Sequence, residues 1–424
     1  MIQQQKSTID KVNKGLAKRY RAERRFKFIG LSAIVLSLTF LGILFASITY
    51  NGHTAFLQSW LELNIFFEPE VLDEKNLLQA DYDGLVKNSL RENFPDVKGR
   101  SQKRKLYALV SSGASFQLQK MVIADTGIIG TSQKVWVPAS DDVDMFMKGY
   151  VDRSTPESER LLKDIQLAWL DRLIKENRLT KRFNTTFFTA GDSREPELSG
   201  IRGATTGTFY MLLITLVLSF PVGVAAAVYL EEFAKKSRWT DLIEVNINNL
   251  AAVPSIVFGL LGLAVFLNFF GLPRSSALVG GLVMTLMTLP TIIIASRISL
   301  QSVPPSIREA ALGIGASKMQ TVLHHVLPLA LPGMLTGTII GMARALGESA
   351  PLLMIGMVAF IVDIPGGFTD PATALPVQIY LWAESAERGF VEKTAAAIMV
   401  IIVFLIAMNL LAVLIRNRTR ISNK

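Results

Sequence analysis

Long apolar runs separated by polar segments dominate the hydrophobic pattern of this chain. The first run, from Phe28 to Tyr50, carries no charge and is about long enough to cross the hydrocarbon core as a helix. Later runs of spanning length lie at about 205–230, 250–270, 277–298, 333–360 and 395–415. Because only a helix or a closed barrel satisfies its backbone polar groups inside lipid, these runs predict about six transmembrane helices.

Basic side chains lie beside the apolar runs and predict how the chain is threaded through a membrane. Those close to the first run are Lys11, Lys14, Lys18, Arg19, Arg21, Arg24, Arg25 and Lys27. The positive-inside rule places this segment in the cytoplasm. The run ends at the bulky Tyr50 and exceeds a signal-peptide core in length, which indicates an uncleaved anchor.

Threading from a cytoplasmic N-terminus places the remaining basic clusters on the same side. They are Lys235, Lys236 and Arg238, then Arg308 and Lys318, and finally the tail residues Arg416, Arg418, Arg420 and Lys424. The opposite loop, around Asp363 to Lys393, is weighted toward Asp370, Glu384, Glu387 and Glu392, which the rule tolerates outside.

A polar insertion from Asn51 to about Arg202 is far too long for a simple connection and predicts an extracytoplasmic α+β domain. An amphipathic helix is predicted from Pro156, with Thr155 as its N-cap. Short strands are predicted at Leu106 to Val110, Phe116 to Ile123 and Lys134 to Val137. No catalytic constellation is visible in this insertion.

Composition supports a membrane protein and excludes several enzyme classes. The chain has 424 residues, is 50% hydrophobic and has a mean hydropathy of +0.36. Its net charge of +9 comes from residues flanking apolar runs, without the aromatic interleaving of a nucleic-acid surface. The absence of cysteine excludes disulfides and thiolate chemistry, and three histidines make a metal cluster improbable.

One polar loop, residues 299–330 between the fourth and fifth runs, carries a specific spacing. Glu309, Ala310 and Ala311 are followed by Gly315 and, further on, by Leu327-Pro328. The spacing predicts a helix with small side chains that seats in a partner's groove, a sharp turn at the glycine, and a proline that ends the loop.

A charged pair stands inside the fifth run. Arg344 and Glu348 are about one helical turn apart, so they share a face. Gly333, Gly337 and Gly341 form a four-residue stripe that predicts close approach of another helix. A buried arginine costs on the order of 3 kcal/mol or more, so the pair should face the protein interior or a translocation path. Either the two charges neutralise each other structurally, or the guanidinium meets a passing oxyanion.

The loop resembles the EAA loop of ABC-importer permeases, with His325 where an isoleucine is usual. Several further motifs, in order, resemble the A-type permease subunits of bacterial phosphate importers, the PstA family. They are Gly207-Thr208, the segment from Pro221 to Glu232, the segment from Ala252 to Gly259, and Ala343-Arg344-Ala345-Leu346-Gly347-Glu348. The resemblance covers roughly residues 198–415, and the insertion at 51–202 departs from the shorter members.

The resemblance implies a type I ABC importer. This chain would be a permease subunit in a heterodimer with a C-type permease, with two cytoplasmic ATPase subunits and an extracytoplasmic phosphate-binding protein. It also implies that Arg344 and Glu348 serve phosphate passage and that Glu309, Ala310, Ala311 and Gly315 couple to the ATPase. ATP and Mg²⁺ would be bound by that ATPase, since this chain has no Walker phosphate loop and is expected to be neither an enzyme nor a cofactor protein.

The expected organisation is a multi-pass protein of the bacterial inner membrane with both termini cytoplasmic. Its expected segments are a basic N-terminus at 1–27, a first helix at 28–50, the insertion at 51–202, a permease domain at 203–415 and a tail at 416–424. A membrane sensor would need a cytoplasmic output domain, and a secondary transporter would show inverted repeats, so both alternatives are weaker.

Overall fold

The computed structural model describes residues 8–73 and 76–422, which form two compact units, 1–51 and 52–424. Residues 1–7 of the predicted N-terminus and residues 423–424 of the predicted tail lie outside the described residues. The first unit is almost entirely one long helix, α1 (Thr8–Gly52), whose last residue belongs to the second unit. Its apolar side chains between Phe28 and Tyr50 are exposed, apart from the partly buried Ile48, which fits a helix surrounded by lipid.

The insertion is an α+β domain built on a three-stranded antiparallel sheet, in which the first strand in the chain lies between the other two. Its strands are β1 (Leu57–Phe66), β2 (Ser132–Pro138) and β3 (Leu179–Phe183). Its helices are α2 (Tyr82–Asn93), α3 (Arg100–Tyr107), α4 (Gly113–Ala124), α5 (Asp141–Met147), α6 (Asp164–Lys175) and α7 (Thr185–Thr189). The predicted mixture of helix and strand in this segment is therefore confirmed.

Two of the three predicted strands are wrong. Residues 106–109 are the end of α3 and the turn after it, Val110 forms only an isolated bridge with Ala139, and residues 116–123 lie within α4. The reason is periodicity, because Ala114, Leu118 and Val122 are buried at four-residue spacing, as on a helix. The predicted strand at 134–137 is confirmed by β2.

The central strand β1 follows α1 after a single 3₁₀ turn and was not predicted. Leu61, Leu63 and Ile65 are buried at alternate positions, and Leu61 and Leu63 pair with Val137 and Val135 of β2. This alternation was present in the sequence, although the helix-length apolar run just before it was the more prominent signal.

The amphipathic helix of the insertion begins later than predicted. Residues 157–159 form only a 3₁₀ turn, and α6 begins at Asp164. Leu167, Leu170 and Leu173 of the predicted apolar face are buried, but Leu161 and Ile174, which were predicted to share that face, are exposed. Proline at position 156 fits a 3₁₀ start as well as an α-helical start, so its presence alone did not fix the helix boundary.

The remainder of the chain is a bundle of apolar helices. They are α8 (Arg202–Val228), α9 (Arg238–Ala251), α10 (Ser255–Gly262), α11 (Ala277–Gln301), α12 (Pro305–Gly313), α13 (Lys318–Gln320), α14 (Leu327–Gly347), α15 (Ala350–Met354), α16 (Leu375–Ala383) and α17 (Arg388–Ser422). Short π-helical segments, 229–233, 263–269 and 321–326, extend α8 and α10 and join α13 to α14.

In the described part of the chain, five helices are long and apolar enough to cross a membrane. A sixth span is possible if α9 and α10 count as one, although they are bent by 101° at the break before Ser255. The predicted run over 250–270 is interrupted at this break, because residues 250–251 end α9 whereas α10 and its π-helical extension cover 255–269. Pro254 stands at the break and cannot donate a backbone hydrogen bond to continue α9.

Two further span boundaries differ from prediction. The fifth span is the continuous helix Lys318–Gly347, so Pro328 lies inside a helix and does not end the loop. The π-helical segment at 321–326 precedes Pro328, and such widened turns are one way a helix accommodates a proline. The last helix begins at Arg388, seven residues earlier than the predicted start at 395. Glu392 is therefore a helical residue and not part of a loop.

Helix α11 lies at the centre of the bundle, between α8 and α14. A Cβ on Gly281 of α11 would lie 2.6 Å from Cβ of Ile214 on α8. Buried methionines, among them Met211, Met284 and Met342, fill the space around these helices. This packing holds the N-terminal half of α11 against α8 and α14.

Candidate functional site

The loop after α11 forms the predicted helix, turn and second helix. Helix α12 contains Glu309, Ala310 and Ala311, with Ala311 buried and the other two exposed. His325 is exposed on the π-helical turn that leads into α14. A short helix with an exposed acidic and small-residue face is thus available to another protein.

Gly315 has a conformation that strongly favours glycine. Its φ is +91°, in the left-handed region. The backbone amide of Ala316 donates a hydrogen bond to the carbonyl of Ala311 at 3.1 Å. The backbone amide of Gly315 donates one to the carbonyl of Leu312 at 3.0 Å. These two bonds form a Schellman motif, which ends α12 sharply and turns the chain toward α13.

Arg308, next to Glu309, holds α12 to two other helices. Its Nη2 lies 2.6 Å from Oε1 of Glu232, which follows α8. The same guanidinium donates to the carbonyls of Leu300 and Val303 at the end of α11, at 2.9 and 2.8 Å. One planar fork therefore fixes the loop helix against the ends of α8 and α11.

Arg297 extends these contacts to α9. Its Nη2 lies 2.7 Å from Oε1 of Glu244 on α9, and its Nε lies 3.6 Å from Oε2 of Glu231. We call residues 299–330 the coupling loop, after the role that the sequence predicts for it, and Glu231, Glu232, Glu244, Arg297 and Arg308 the coupling-loop network. Sequence reasoning missed its role, although two adjacent glutamates at the end of an apolar run were a visible signal.

Arg344 and Glu348 form a loose ion pair at the end of α14. The helix ends at Gly347, so the predicted shared helical face is not formed, yet Nε of Arg344 still lies 3.7 Å from Oε1 of Glu348. The side chains are 49% and 25% exposed, respectively. In this chain alone the guanidinium is therefore accessible from outside the bundle.

The glycine stripe of α14 faces α11. A Cβ on Gly337 would lie 2.1 Å from Cβ of Ala295, and one on Gly333 would lie 2.3 Å from Oγ of Ser299. Gly341 has more room, with its nearest such contact, Ile292, at 3.8 Å. The two helices approach so closely at Gly333 and Gly337 that a side chain there would displace α11.

A second charged cluster joins the insertion to the last helix. Nζ of Lys148, just after α5, lies 2.6 Å from Asp144 and 2.5 Å from Glu392 of α17. Thr54 donates to the same Glu392 carboxylate at 2.7 Å, and Asp144 accepts from the amide of Ser59 at 2.7 Å. We call Lys148, Asp144 and Glu392 the junction cluster, and all three side chains are buried.

Within residues 8–73 and 76–422, no group of three or more histidine, aspartate or glutamate side chains is arranged to hold a metal ion.

Comparison with known proteins defines the class. Residues 219–421 match the family described as binding-protein-dependent transport system inner membrane component, and residues 13–157 match a domain of unknown function (DUF3333). The chain is 36% identical over 168 residues to the probable ABC transporter permease protein YqgI of Bacillus subtilis, covering 39% of this chain and 56% of that relative.

The chain is also 32% identical over 218 residues to the phosphate transport system permease protein PstA 1 of Mycobacterium tuberculosis, covering 51% of this chain and 70% of that relative. It belongs to the PstA family of ABC permeases, with an additional N-terminal domain. Among solved structures it is similar to a chain of the MetNI methionine ABC transporter, with a TM-score of 0.40 and 18% identity, covering 51% of this chain and 96% of that one.

Proposed function

We propose that this chain is a permease subunit of an ATP-driven phosphate importer in the bacterial inner membrane. The observation that carries the proposal is the coupling loop. It presents Glu309 and Ala310 on an exposed helix that Arg308 fixes to α8 and α11. The similarity to relatives named as phosphate permeases supports phosphate as the substrate.

In this proposal a partner ATPase binds α12, and motion of α12 reaches the bundle through the coupling-loop network. Ala311 packs inward and fixes the helix, while Gly315 lets it end abruptly. ATP and Mg²⁺ are bound by the partner, so this subunit itself is not an enzyme. The basic clusters at 235–238 and at Lys318 support a cytoplasmic location for this end of the bundle.

Arg344 is proposed to contact phosphate at the interface with a second, C-type permease subunit. Its half-exposed guanidinium has donors free to form a fork with two phosphate oxygens, because the pairing with Glu348 is long. Glu348 is proposed to weaken that binding, since a transport site must release its ion.

The decisive experiment is reconstitution in liposomes with the second permease, the ATPase and the phosphate-binding protein. We expect phosphate to stimulate ATP hydrolysis only when the binding protein is present. Equal stimulation by sulfate or molybdate would contradict the substrate. Arg344→Ala should lower phosphate uptake while leaving assembly of the complex intact. Uptake at the wild-type rate would mean that Arg344 and Glu348 serve only a structural role.

A further inference from the structure

A cavity of about 370 Å³ lies where the insertion meets the turn before α17. We call it the junction cavity. Its walls are the start of α5, the irregular segment around 150–162, and residues 386–388. It lies beside the junction cluster, so a molecule that entered it would touch the insertion and the N-terminal end of α17 together.

The lining of the junction cavity is strongly acidic. Five carboxylates line it, against two guanidinium groups: Asp141, Asp142, Asp152, Glu159 and Glu387, with Arg160 and Arg388. Burial raises the pKa of Asp141 to about 7, and the carboxylates of Glu197, Asp142 and Asp144 act in the same direction. The two guanidinium groups therefore do not neutralise the five carboxylates, and a cation that entered the cavity would be stabilised.

Arg160 is the unusual member of this lining. Its side chain is only 6% exposed, and its Nη2 pairs with Asp164. Its Nε and Nη1 have no hydrogen-bond partner. A buried unsatisfied donor is costly, at about 1–3 kcal/mol or more for a charged group, so an incoming oxygen acceptor would be stabilising here.

The ligand chemistry that fits is a cation on an apolar stem next to an oxygen acceptor. Met145, Val151 and Leu162 supply an apolar wall beside the carboxylates. A lysine or arginine residue of a protein has all three parts: an aliphatic stem, a charged end and a main-chain carbonyl. No bare metal ion would satisfy the free donors of Arg160, because a metal ion accepts no hydrogen bond.

We propose that the junction cavity receives a basic side chain of the extracytoplasmic binding protein. In this proposal Asp142 and Glu387 take the cation, and Arg160 takes a neighbouring carbonyl. The inference rests on the proposed function, which supplies the binding protein. It assigns the insertion a role in docking the binding protein. The docked residue would lie against the first turn of α17, where the backbone amide of Gly389 donates a hydrogen bond to Asp141.

Affinity provides the first test. The complete complex in nanodiscs is titrated with the purified binding protein, and the double variant Asp142→Asn/Glu387→Gln is compared with wild type. We expect at least tenfold weaker binding. The matched control, Glu92→Gln/Asp96→Asn, removes two exposed charges elsewhere on the insertion and should bind as wild type does.

Site-directed photo-cross-linking provides the second test, and it does not depend on the stability of a charge variant. Leu161 at the cavity rim is 75% exposed, and Leu78, which does not line the cavity, is 74% exposed. A benzophenone amino acid at 161 should cross-link the binding protein within a few residues of a lysine or arginine, and one at 78 should not.

The possible failures are distinguishable. If wild-type complex does not bind the binding protein at all, the proposed function itself fails. If wild type binds, yet the double variant binds equally well or position 161 yields no cross-link, the docking role of the cavity is overturned while the transport function stands.

Discussion

The junction cluster and the coupling-loop network use the same chemistry in opposite surroundings. Lys148 and its two carboxylates are almost completely buried, at 2–7% exposure, whereas Arg297, Arg308 and their glutamates are 9–38% exposed. A buried pair cannot exchange its partners for water at low cost, but a partly exposed pair can do so more easily. We infer that the insertion is fixed to α17, while the coupling loop is held by contacts that can re-form.

The largest expected effect is at the junction cluster. Burial alone would lower the pKa of Lys148, but Asp144 and Glu392 outweigh it and raise the pKa above the usual value. Lys148→Met leaves two buried carboxylates without a cation, which should cost about 3–5 kcal/mol of folding free energy. Thermal unfolding of the purified chain in detergent measures this loss.

The matched control is Lys87→Met, because Lys87 pairs with Asp83 on the surface of α2. It should change the free energy of unfolding by about 0.5 kcal/mol or less. Equal losses for the two variants would remove the distinction between buried and exposed pairs.

The next-largest expected effect is a pH dependence of folding stability, which arises from Asp141 beside the junction cluster. The pKa of Asp141 is raised from 3.8 to about 7, so between these values the folded state binds more protons than the unfolded state. Stability from this group therefore falls as the pH rises from about 4 to 7. Asp141→Asn should be more stable than wild type at pH 8, with the difference shrinking toward pH 5.

Thermal unfolding of wild type and Asp141→Asn across this range isolates the contribution of the one group. Asp125→Asn, which changes an exposed carboxylate on the same domain, provides the control. A difference between Asp141→Asn and wild type that is constant with pH would show that the folded-state pKa of Asp141 is not raised.

A smaller and local effect is expected in the coupling-loop network. Arg308→Gln removes the fork to Glu232 and the bonds to Leu300 and Val303. Charge-assisted bonds of this kind contribute about 1.5–3 kcal/mol, so amides of α12 should exchange with solvent about tenfold faster or more. Hydrogen exchange followed by mass spectrometry measures this.

Arg153→Gln is the control for this loss of an arginine, because Arg153 forms an exposed pair with Asp171 in the insertion. In Arg153→Gln the rate of amide hydrogen exchange in α12 should equal that of wild type. Unchanged exchange in Arg308→Gln would mean that packing of Ala311, and not the ion pair, holds the loop helix.

The smallest effect is expected at the turn. Gly315→Ala places a Cβ in a left-handed conformation, at a cost of about 1–2 kcal/mol. Gly313→Ala is the control, because a Cβ there meets no atom within 4 Å and the residue is helical. Chemical denaturation should separate the two variants, and equal stability would mean that the turn can relax without strain.

Features written in a short stretch of sequence were predictable. The apolar runs and the helix-turn-helix around Gly315 each depend on residues within about 30 positions of one another. Errors arose where two local signals competed. Residues 116–123 are rich in strand-forming side chains but keep a helical spacing, and the start of α17 was misplaced because Glu392 and Lys393 looked too polar for a span.

The residues of the candidate site also differ in whether local sequence was enough to predict them. Glu309 to Gly315 could be read as a motif, whereas the role of Arg308 depends on Glu232, 76 residues earlier in the chain. Local periodicity contains no information about which charges meet over such a distance. The positive charge of Arg160 was equally visible, but its unpaired donors and the cavity beside it were not.

The sequence by itself determined the membrane-spanning character of this protein, its insertion and the turn at Gly315, because hydropathy, helical period and glycine conformation act locally. Only the tertiary structure decided which charges are paired and which are buried. Lys148 and Glu392 are 244 residues apart, and each is an ordinary surface-type residue until the fold brings them together away from water. Burial depends on every neighbour at once, so the strength of that contact is a property of the folded chain.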